Sequence, residues 1–243
     1  MVCLSALLLL VFTTSVLSDG ESLLIACSID DTECLSKTTQ QFLEKTCKGI
    51  PAYDIKAIDP LFIPNLDINL SEKADTVLHF KNLNVTGLKD QQFSELKMDT
   101  KQKSVVLQTR MNLNIVGDVT IELSKGSKSF SGAYTIKGTA LGTTRYGYDY
   151  KFDDKGVEHY EVGPETTSCQ AVSDPEVIVS PELSEALESD KELKERKQKY
   201  SAKKKEIQRN VLCKIVEKAY ITVVHNIRAA AKVLPRTAFI KDD

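Results

Sequence analysis

Hydrophobic and polar residues alternate over two long stretches in the middle of the chain. From Val105 to Leu123 the odd positions are mostly hydrophobic and the even positions mostly polar. A period of two is typical of a β-strand with one buried face. At ~3.3 Å per residue such a strand would reach about 60 Å, so the pattern predicts either one very long strand or a strand that folds back at Gly117.

A second stretch with the same alternation runs from Phe130 to Phe152, and several glycines share its hydrophobic face. Because glycine has no side chain, these positions leave room on that face for another element. Residues 153–156 then predict a hairpin turn that leads into a strand through Val162. Between residues 80 and 83 the hydrophobic parity slips by one, which predicts a β-bulge and added curvature.

The C-terminal part of the chain predicts one long buried helix. Hydrophobic residues between 207 and 234 cover more than half of a helix circumference, until Pro235. A helix that is hydrophobic nearly all round is a buried one, and ~28 residues span ~42 Å, comparable with the long strands. Near the N-terminus a short helix is predicted over 21–26, followed by a longer one that begins at the capping residue Asp31 and ends at Gly49 and Pro51. The expected fold class is α+β, with a strongly curved antiparallel sheet around the long C-terminal helix and short N-terminal helices at one end.

The N-terminus is typical of an exported protein. Residues 1–18 have a leucine-rich core followed by small residues, the pattern of a secretory signal peptide. We therefore expect a secreted protein whose mature part, residues 19–243, forms a single domain. Asn69 and Asn84 each begin a glycosylation sequon, which agrees with export.

Export would place the cysteines in an oxidising compartment. Five of the six cysteines lie beyond the signal peptide, and an odd number leaves one unpaired. We predict one disulfide between Cys27 and Cys34, and a second between Cys169 and Cys213 that ties the last long strand to the long helix and contributes ~4 kcal/mol. Cys47, on the hydrophobic side of an N-terminal helix, is predicted to stay free.

The chemistry of a catalytic site is missing from the sequence. There is no Gly-x-Ser-x-Gly elbow and no zinc-binding spacing, and the three histidines, His79, His159 and His225, are scattered. A net charge of −2 offers no broad attraction for nucleic acid or an anionic membrane. No stretch beyond the signal approaches the ~18 apolar residues of a membrane-spanning helix. We predict a non-enzymatic, soluble protein without metal or cofactor.

Several short segments, taken together in order and spacing, resemble the haemolymph juvenile hormone binding proteins of moths, within the wider takeout-like family. The segments are Cys27 with Cys34, Gly49–Pro51, Ile58–Pro60, Phe80–Leu88, Arg145–Tyr148, Cys213–Ile215 and Val224–Arg228. The resemblance runs from about Asp19 to Phe239. It implies a tubular lipid-binding fold with disulfides equivalent to the two pairs proposed above.

The resemblance also implies a function. Such proteins carry the sesquiterpenoid hormone through haemolymph in a cavity that the N-terminal helix covers, and Tyr146 matches the tyrosine whose hydroxyl meets the hormone's epoxide. The alternation independently places Tyr146 on the hydrophobic face, where its hydroxyl needs a partner. The predicted ligand-binding residues are Tyr146, Tyr160 as a wall, Leu23, Leu24 and Ile25 on the inward side of the lid, and Phe239 as a closing tail. For each of them ordinary core packing is the alternative.

The predicted partner is juvenile hormone or a similar small hydrophobic ligand, bound by a monomer without nucleic acid and without stable membrane insertion. The chain departs from the family at Lys56-Ala57, which stand where the moth carriers have a tryptophan; this chain has none. Two alternatives therefore remain open. One is a takeout-like carrier of another hydrophobic ligand, and the other is an immunity protein that binds microbial lipid.

Overall fold

A computed structural model describes residues 23–70, 76–123 and 128–241, so the predicted signal peptide lies outside the described residues. The described helices are α1 (Thr32–Thr46), α2 (Pro181–Ser189), α3 (Lys191–Tyr200) and α4 (Lys204–Val233). The strands are β1 (Leu61–Asn69), β2 (Thr76–Thr86), β3 (Gln92–Asp99), β4 (Ser104–Leu123), β5 (Lys128–Phe152), β6 (Glu158–Ala171) and β7 (Glu176–Val179).

The strands form one open antiparallel sheet in the order β1-β2-β4-β5-β6, with β3 on β4 and β7 on β5. β4 and β5 pair without interruption from Ser104 opposite Gly147 to Leu123 opposite Lys128. The long-strand alternative is thus confirmed, and the chain does not fold back at Gly117. That glycine instead makes room for β2, because a Cβ there would lie 2.8 Å from the Leu83 side chain.

The hydrophobic face of the sheet wraps α4, as predicted. The glycines of β5 let the helix approach closely: a Cβ at Gly138 would lie 2.8 Å from Leu212 of α4, and one at Gly142 would lie 2.6 Å from the Tyr220 ring. The space left by these glycines is therefore filled by helix side chains. Fully burying each large side chain in this interface contributes about 1.5–3 kcal/mol.

The hydrophobic alternation of β5 continues past the end of the buried core. Tyr148 is buried, but Tyr150 is 36% exposed and Phe152 is 65% exposed, although both share its face. The reason is the length of the helix beneath. α4 ends at Val233, and the next carbonyl, that of Leu234, already meets His159, which is paired with β5 one residue before Phe152.

Three register shifts interrupt the strand pairing, one of them between Phe93 and Glu95 where β3 pairs with β4. The predicted one is confirmed on β2, where the register with β4 shifts between Lys81 and Asn84. A second shift separates Tyr146 from Tyr148 in the pairing of β5 with β6. Arg228 of α4 donates to the Gly163 carbonyl at 2.7 Å and so binds this second bulge to the helix.

The first predicted N-terminal helix is not present in its described part, because residues 23–26 are not helical. Their backbone groups have other partners. The Ile25 amide donates to the Thr38 hydroxyl at 2.6 Å, and Cys27 pairs in parallel with Ile240 near the C-terminus. Contacts with α1 and with the C-terminal tail thus replace the hydrogen bonds that a helix would make.

The disulfide predictions are confirmed. Cys27 is bonded to Cys34 at the start of α1, and Cys169 of β6 is bonded to Cys213 of α4. Cys47, directly after α1, is free and half-buried. Across the described ranges no helix is both long and apolar enough to cross a membrane. Asn69 and Asn84 are exposed, and their glycosylation stays a prediction.

Candidate functional site

A cavity lies at one end of the sheet, between the sheet, α1, the end of α4 and the C-terminal tail. The volume open to the centre of a water-sized sphere is about 130 Å³. Since one water needs ~10–15 Å³ on this scale, the cavity has room for on the order of ten waters, ~300 Å³ of liquid. That is the lower end of the range for small-ligand sites.

The cavity wall is hydrophobic. Its lining comes from the N-terminal segment, α1, β3 to β6, α4 and the tail: Leu24, Leu35, Thr38, Thr39, Phe42, Leu96, Met98, Val105, Leu107, Tyr146, Tyr148, Tyr160, Val162, Ile227, Ala230, Ala231, Phe239 and Ile240. None of these side chains is charged, and their only polar groups are the hydroxyls of two threonines and three tyrosines. Such a wall suits an apolar ligand that carries few hydrogen-bond acceptors.

Four of the six predicted ligand-binding residues, Leu24, Tyr146, Tyr160 and Phe239, meet at this cavity. The inward direction predicted for Ile25 is wrong, because its side chain is 53% exposed. The segment is not helical, and Ile25 lies on its exposed side next to the buried Leu24. Leu23 packs against the neighbouring cluster around Phe42 instead of lining the cavity.

Sequence reasoning missed the walls made by α1 and β3. Leu35, Thr39 and Phe42 of α1 line the cavity together, and their spacing of four and three residues is the signal that could have identified them. Leu96 and Met98 of β3 have the spacing of two residues expected for one face of a strand. These local patterns do not indicate that α1 and β3 face the same cavity.

The Tyr146 hydroxyl is one of the three tyrosine hydroxyls in the cavity wall. Tyr146 stands on β5 beside the second bulge and lines the cavity. Burial raises the pKa of Tyr146, and no charge or hydrogen bond contributes to this shift. The phenol therefore stays neutral at physiological pH and can donate a hydrogen bond to an acceptor in the cavity.

A chain of aromatic rings continues from the cavity along the β5–β6 hairpin. Tyr148 contacts Tyr160 with ring centroids 5.3 Å apart, and Tyr160 contacts Phe239 of the tail at 5.7 Å. Tyr150 contacts both Tyr148 and Tyr160, at 5.8 and 5.5 Å. Burial is the main cause that raises the pKa of both Tyr148 and Tyr160, and the pKa of Tyr160 reaches about 12. These rings stabilise one wall of the cavity.

The burial of Tyr160 predicts a loss of stability at alkaline pH. An unfolded tyrosine has a pKa near 10, whereas burial raises the pKa of folded Tyr160 to about 12, with Arg236 opposing part of the shift. The folded state retains the phenol proton, so stability is complete below about pH 10 and falls as the pH rises towards 12. The free energy of unfolding, measured in urea from pH 10 to 12, should fall by on the order of 2 kcal/mol less in Tyr160→Phe than in the wild type. An unchanged pH dependence in this variant would contradict the assignment.

The N-terminal segment, α1 and the C-terminal tail form one connected cover over the cavity. The Cys27 amide donates to the Phe239 carbonyl at 3.1 Å, and the Lys241 amide donates to the Cys27 carbonyl at 2.9 Å. The disulfide to Cys34 joins this pair to α1. Arg236 anchors the tail to Glu158 of β6 by an ion pair.

The three histidines lie apart from the cavity lining. His79 contacts Asp67 and Glu122 on neighbouring strands, and His225 contacts the Asp54 carbonyl. Within the ranges that the structure describes, no group of three or more potential ligands could hold a metal ion. The described geometry thus offers a hydrophobic binding cavity.

A sheet wrapped around one long helix, with a hydrophobic cavity at its end, defines the tubular lipid-binding fold. The chain belongs to the haemolymph juvenile hormone binding protein (JHBP) family, whose model matches residues 6–153. It is 51% identical over 227 residues to a juvenile hormone-binding protein of Manduca sexta, a match that covers 93% of this chain and 99% of the relative. The crystal structure of Epiphyas postvittana Takeout 1 superimposes with a TM-score of 0.73 at 18% identity, covering 89% of this chain and 99% of that one. The takeout comparison confirms the fold.

Proposed function

We propose that this protein is a secreted, monomeric, non-enzymatic carrier of juvenile hormone. The observation that carries the proposal is the cavity, which has a charge-free hydrophobic wall and the neutral Tyr146 phenol. The hormone matches this chemistry, being an apolar chain with an epoxide and a methyl ester as its only polar groups. The Manduca sexta relative, similar over nearly the whole chain, supports the same ligand.

Hydrophobic burial would provide most of the affinity. Enclosing ~400 Å² of ligand surface at ~25 cal/mol per Å² contributes ~10 kcal/mol before the costs of ordering. The binding free energy that is left after these costs is compatible with a micromolar or lower dissociation constant. Enclosure would also separate the ester and the epoxide from water and from hydrolytic enzymes.

We further propose that Tyr146 donates its hydroxyl proton to the epoxide oxygen. Tyr146→Phe should weaken binding of the hormone about three- to tenfold, the value of one neutral hydrogen bond. Equilibrium binding of radiolabelled hormone to the refolded mature chain measures this. The same substitution should leave binding of a hormone analogue without the epoxide unchanged. Tyr134→Phe is the matched control, since Tyr134 is also buried but does not line the cavity.

Two results would separate the parts of this proposal. No saturable binding of the hormone at micromolar concentration by the wild-type chain would reject the carrier function. Hormone binding that Tyr146→Phe leaves unchanged would reject only the epoxide contact. Secretion is tested by expression in insect cells, where the mature chain in the medium should begin at Asp19.

The departure at Lys56-Ala57 keeps a second candidate in view, a carrier of another hydrophobic ligand on the same fold. Both residues stand directly before the buried Ile58, and the Lys56 backbone is held by Asn226 of α4. Native mass spectrometry of the secreted protein distinguishes the two candidates. A co-purifying mass other than that of a juvenile hormone would favour the second.

A further inference from the structure

The tip of the β5–β6 hairpin presents hydrophobic side chains to solvent beside the cavity. Phe152 is 65% exposed, the largest fraction among the large hydrophobic side chains of the described residues, and Tyr150 is 36% exposed. Both lie on the face of β5 that lines the cavity further along, at Tyr146 and Tyr148. Two exposed aromatic rings on one face, continuous with a ligand cavity, form a candidate contact surface for a partner.

The exposed rings are continuous with the cavity wall. Tyr150 contacts Tyr148 and Tyr160, which both line the cavity, with ring centroids 5.8 and 5.5 Å apart. Phe152 follows Tyr150 by two residues and therefore extends the same face outward. A hydrophobic surface thus leads from the tip to the ligand site, and the one ammonium over its rings, that of Lys103 at 5.3 Å from the Tyr150 centroid, is paired with Asp149.

The charges around the tip nearly cancel. Lys103 is paired with Asp149 at 2.7 Å, and Glu158, which stands opposite Phe152, is paired with Arg236. The other charged residues of the tip are Lys151, Lys155, Asp153, Asp154 and Glu161, the last opposite Asp149. Two positive and three negative side chains give no attraction to an anionic surface, so the hydrophobic rings select the partner.

We propose that this tip docks transiently on a neutral lipid surface when the ligand enters or leaves the cavity, an inference that rests on the proposed carrier function. An aromatic side chain has at most about 250 Å² of surface, so the exposed parts of two rings fall well below the ~800 Å² per partner of a stable protein interface. Two rings are sufficient for shallow insertion between lipid head groups, where aromatic residues are favoured. The ring chain then connects the lipid with the cavity.

The absence of tryptophan from the sequence allows a direct test. Phe152→Trp introduces the only indole, and its fluorescence should shift to the blue when phosphatidylcholine vesicles are added. Phe62→Trp is the matched control, because Phe62 is 55% exposed on β1, at the opposite edge of the sheet. No shift at position 152, or an equal shift at both positions, would overturn the proposal.

Ligand exchange provides the second readout. Phe152→Ser should slow transfer of hormone from phosphatidylcholine vesicles by on the order of tenfold, the effect of withdrawing one ring from lipid. Its dissociation constant in vesicle-free buffer should equal that of the wild type. An equal loss of affinity in buffer would instead make Phe152 part of the ligand site. If the wild type is a dimer and Phe152→Ser a monomer, the partner of the tip is a second copy of the chain. Either result overturns the lipid contact.

The two experiments separate this inference from the function on which it rests. The tryptophan reporter needs no ligand, so it tests the lipid contact even in a chain that does not bind the hormone. Hormone binding by the wild type together with a silent reporter at position 152 rejects the docking surface alone. Absence of hormone binding rejects the proposed function.

Discussion

Ala231→Phe is expected to abolish hormone binding, with a loss of affinity of more than about a hundredfold. Ala231 is 2% exposed on α4 and lines the cavity. A phenyl ring there would take a large part of a cavity with room for ~300 Å³ of liquid, and excluding a third of the ligand's contact removes roughly 3 kcal/mol, which corresponds to that factor. Equilibrium binding of radiolabelled hormone measures the effect.

The protein should remain folded in this variant, because the new side chain enters a cavity rather than packed core. Overpacking costs about 1–3 kcal/mol, which circular dichroism and thermal unfolding can monitor. Ala133→Phe is the control, since Ala133 is exposed on β5, on the side of the sheet away from α4. Affinity within threefold of the wild type for Ala231→Phe would place the ligand elsewhere.

Replacing both Cys169 and Cys213 with alanine is expected to lower the free energy of unfolding by about 4 kcal/mol. The bond spans 44 residues, and the chain-entropy model assigns this value to a loop of that length. For a chain of this size each kcal/mol corresponds to roughly 2–4 °C, so the melting temperature should fall by about 10 °C. Differential scanning calorimetry measures this fall.

The second disulfide provides the matched comparison. Cys27 and Cys34 are only seven residues apart, so removing their bond should cost about half as much, roughly 2 kcal/mol. Its removal should affect the cover of the cavity more than global stability, because Cys27 also holds Phe239 and Lys241 of the tail. A larger loss of stability from the Cys27–Cys34 pair would contradict the loop-entropy explanation.

The long strands and the long helix could be predicted because their signals are local and repeated. The alternation of β4 has ten hydrophobic-face positions, from Val105 to Leu123, and eight of them are buried. The apolar positions of α4 likewise recur over eight turns of helix. The prediction failed where a local pattern had a non-local competitor. Residues 21–26 have a helical pattern, yet the Ile25 amide binds the Thr38 hydroxyl and the nearby Cys27 pairs with Ile240 of the tail.

The same distinction applies to the candidate site. The alternation predicted that Tyr146 faces inward, since a strand determines the direction of each side chain by parity. It could not predict that Tyr150 and Phe152, of the same parity, lie outside the core, because that depends on where α4 ends beneath the sheet. The alternation also could not predict that Leu96 of β3 and Phe42 of α1 line the same cavity, since only the curvature of the sheet brings those elements together.

The sequence by itself determined the long strands, the long helix and the hydrophobic character of the interior, because each depends on periodicity. The tertiary structure alone decided where a cavity remains, which side chains line it and which rings protrude beside it. The physical reason is that a cavity is the space left when separate elements have packed. It depends on how far the sheet bends and on how far the helix extends, and no local pattern contains either length.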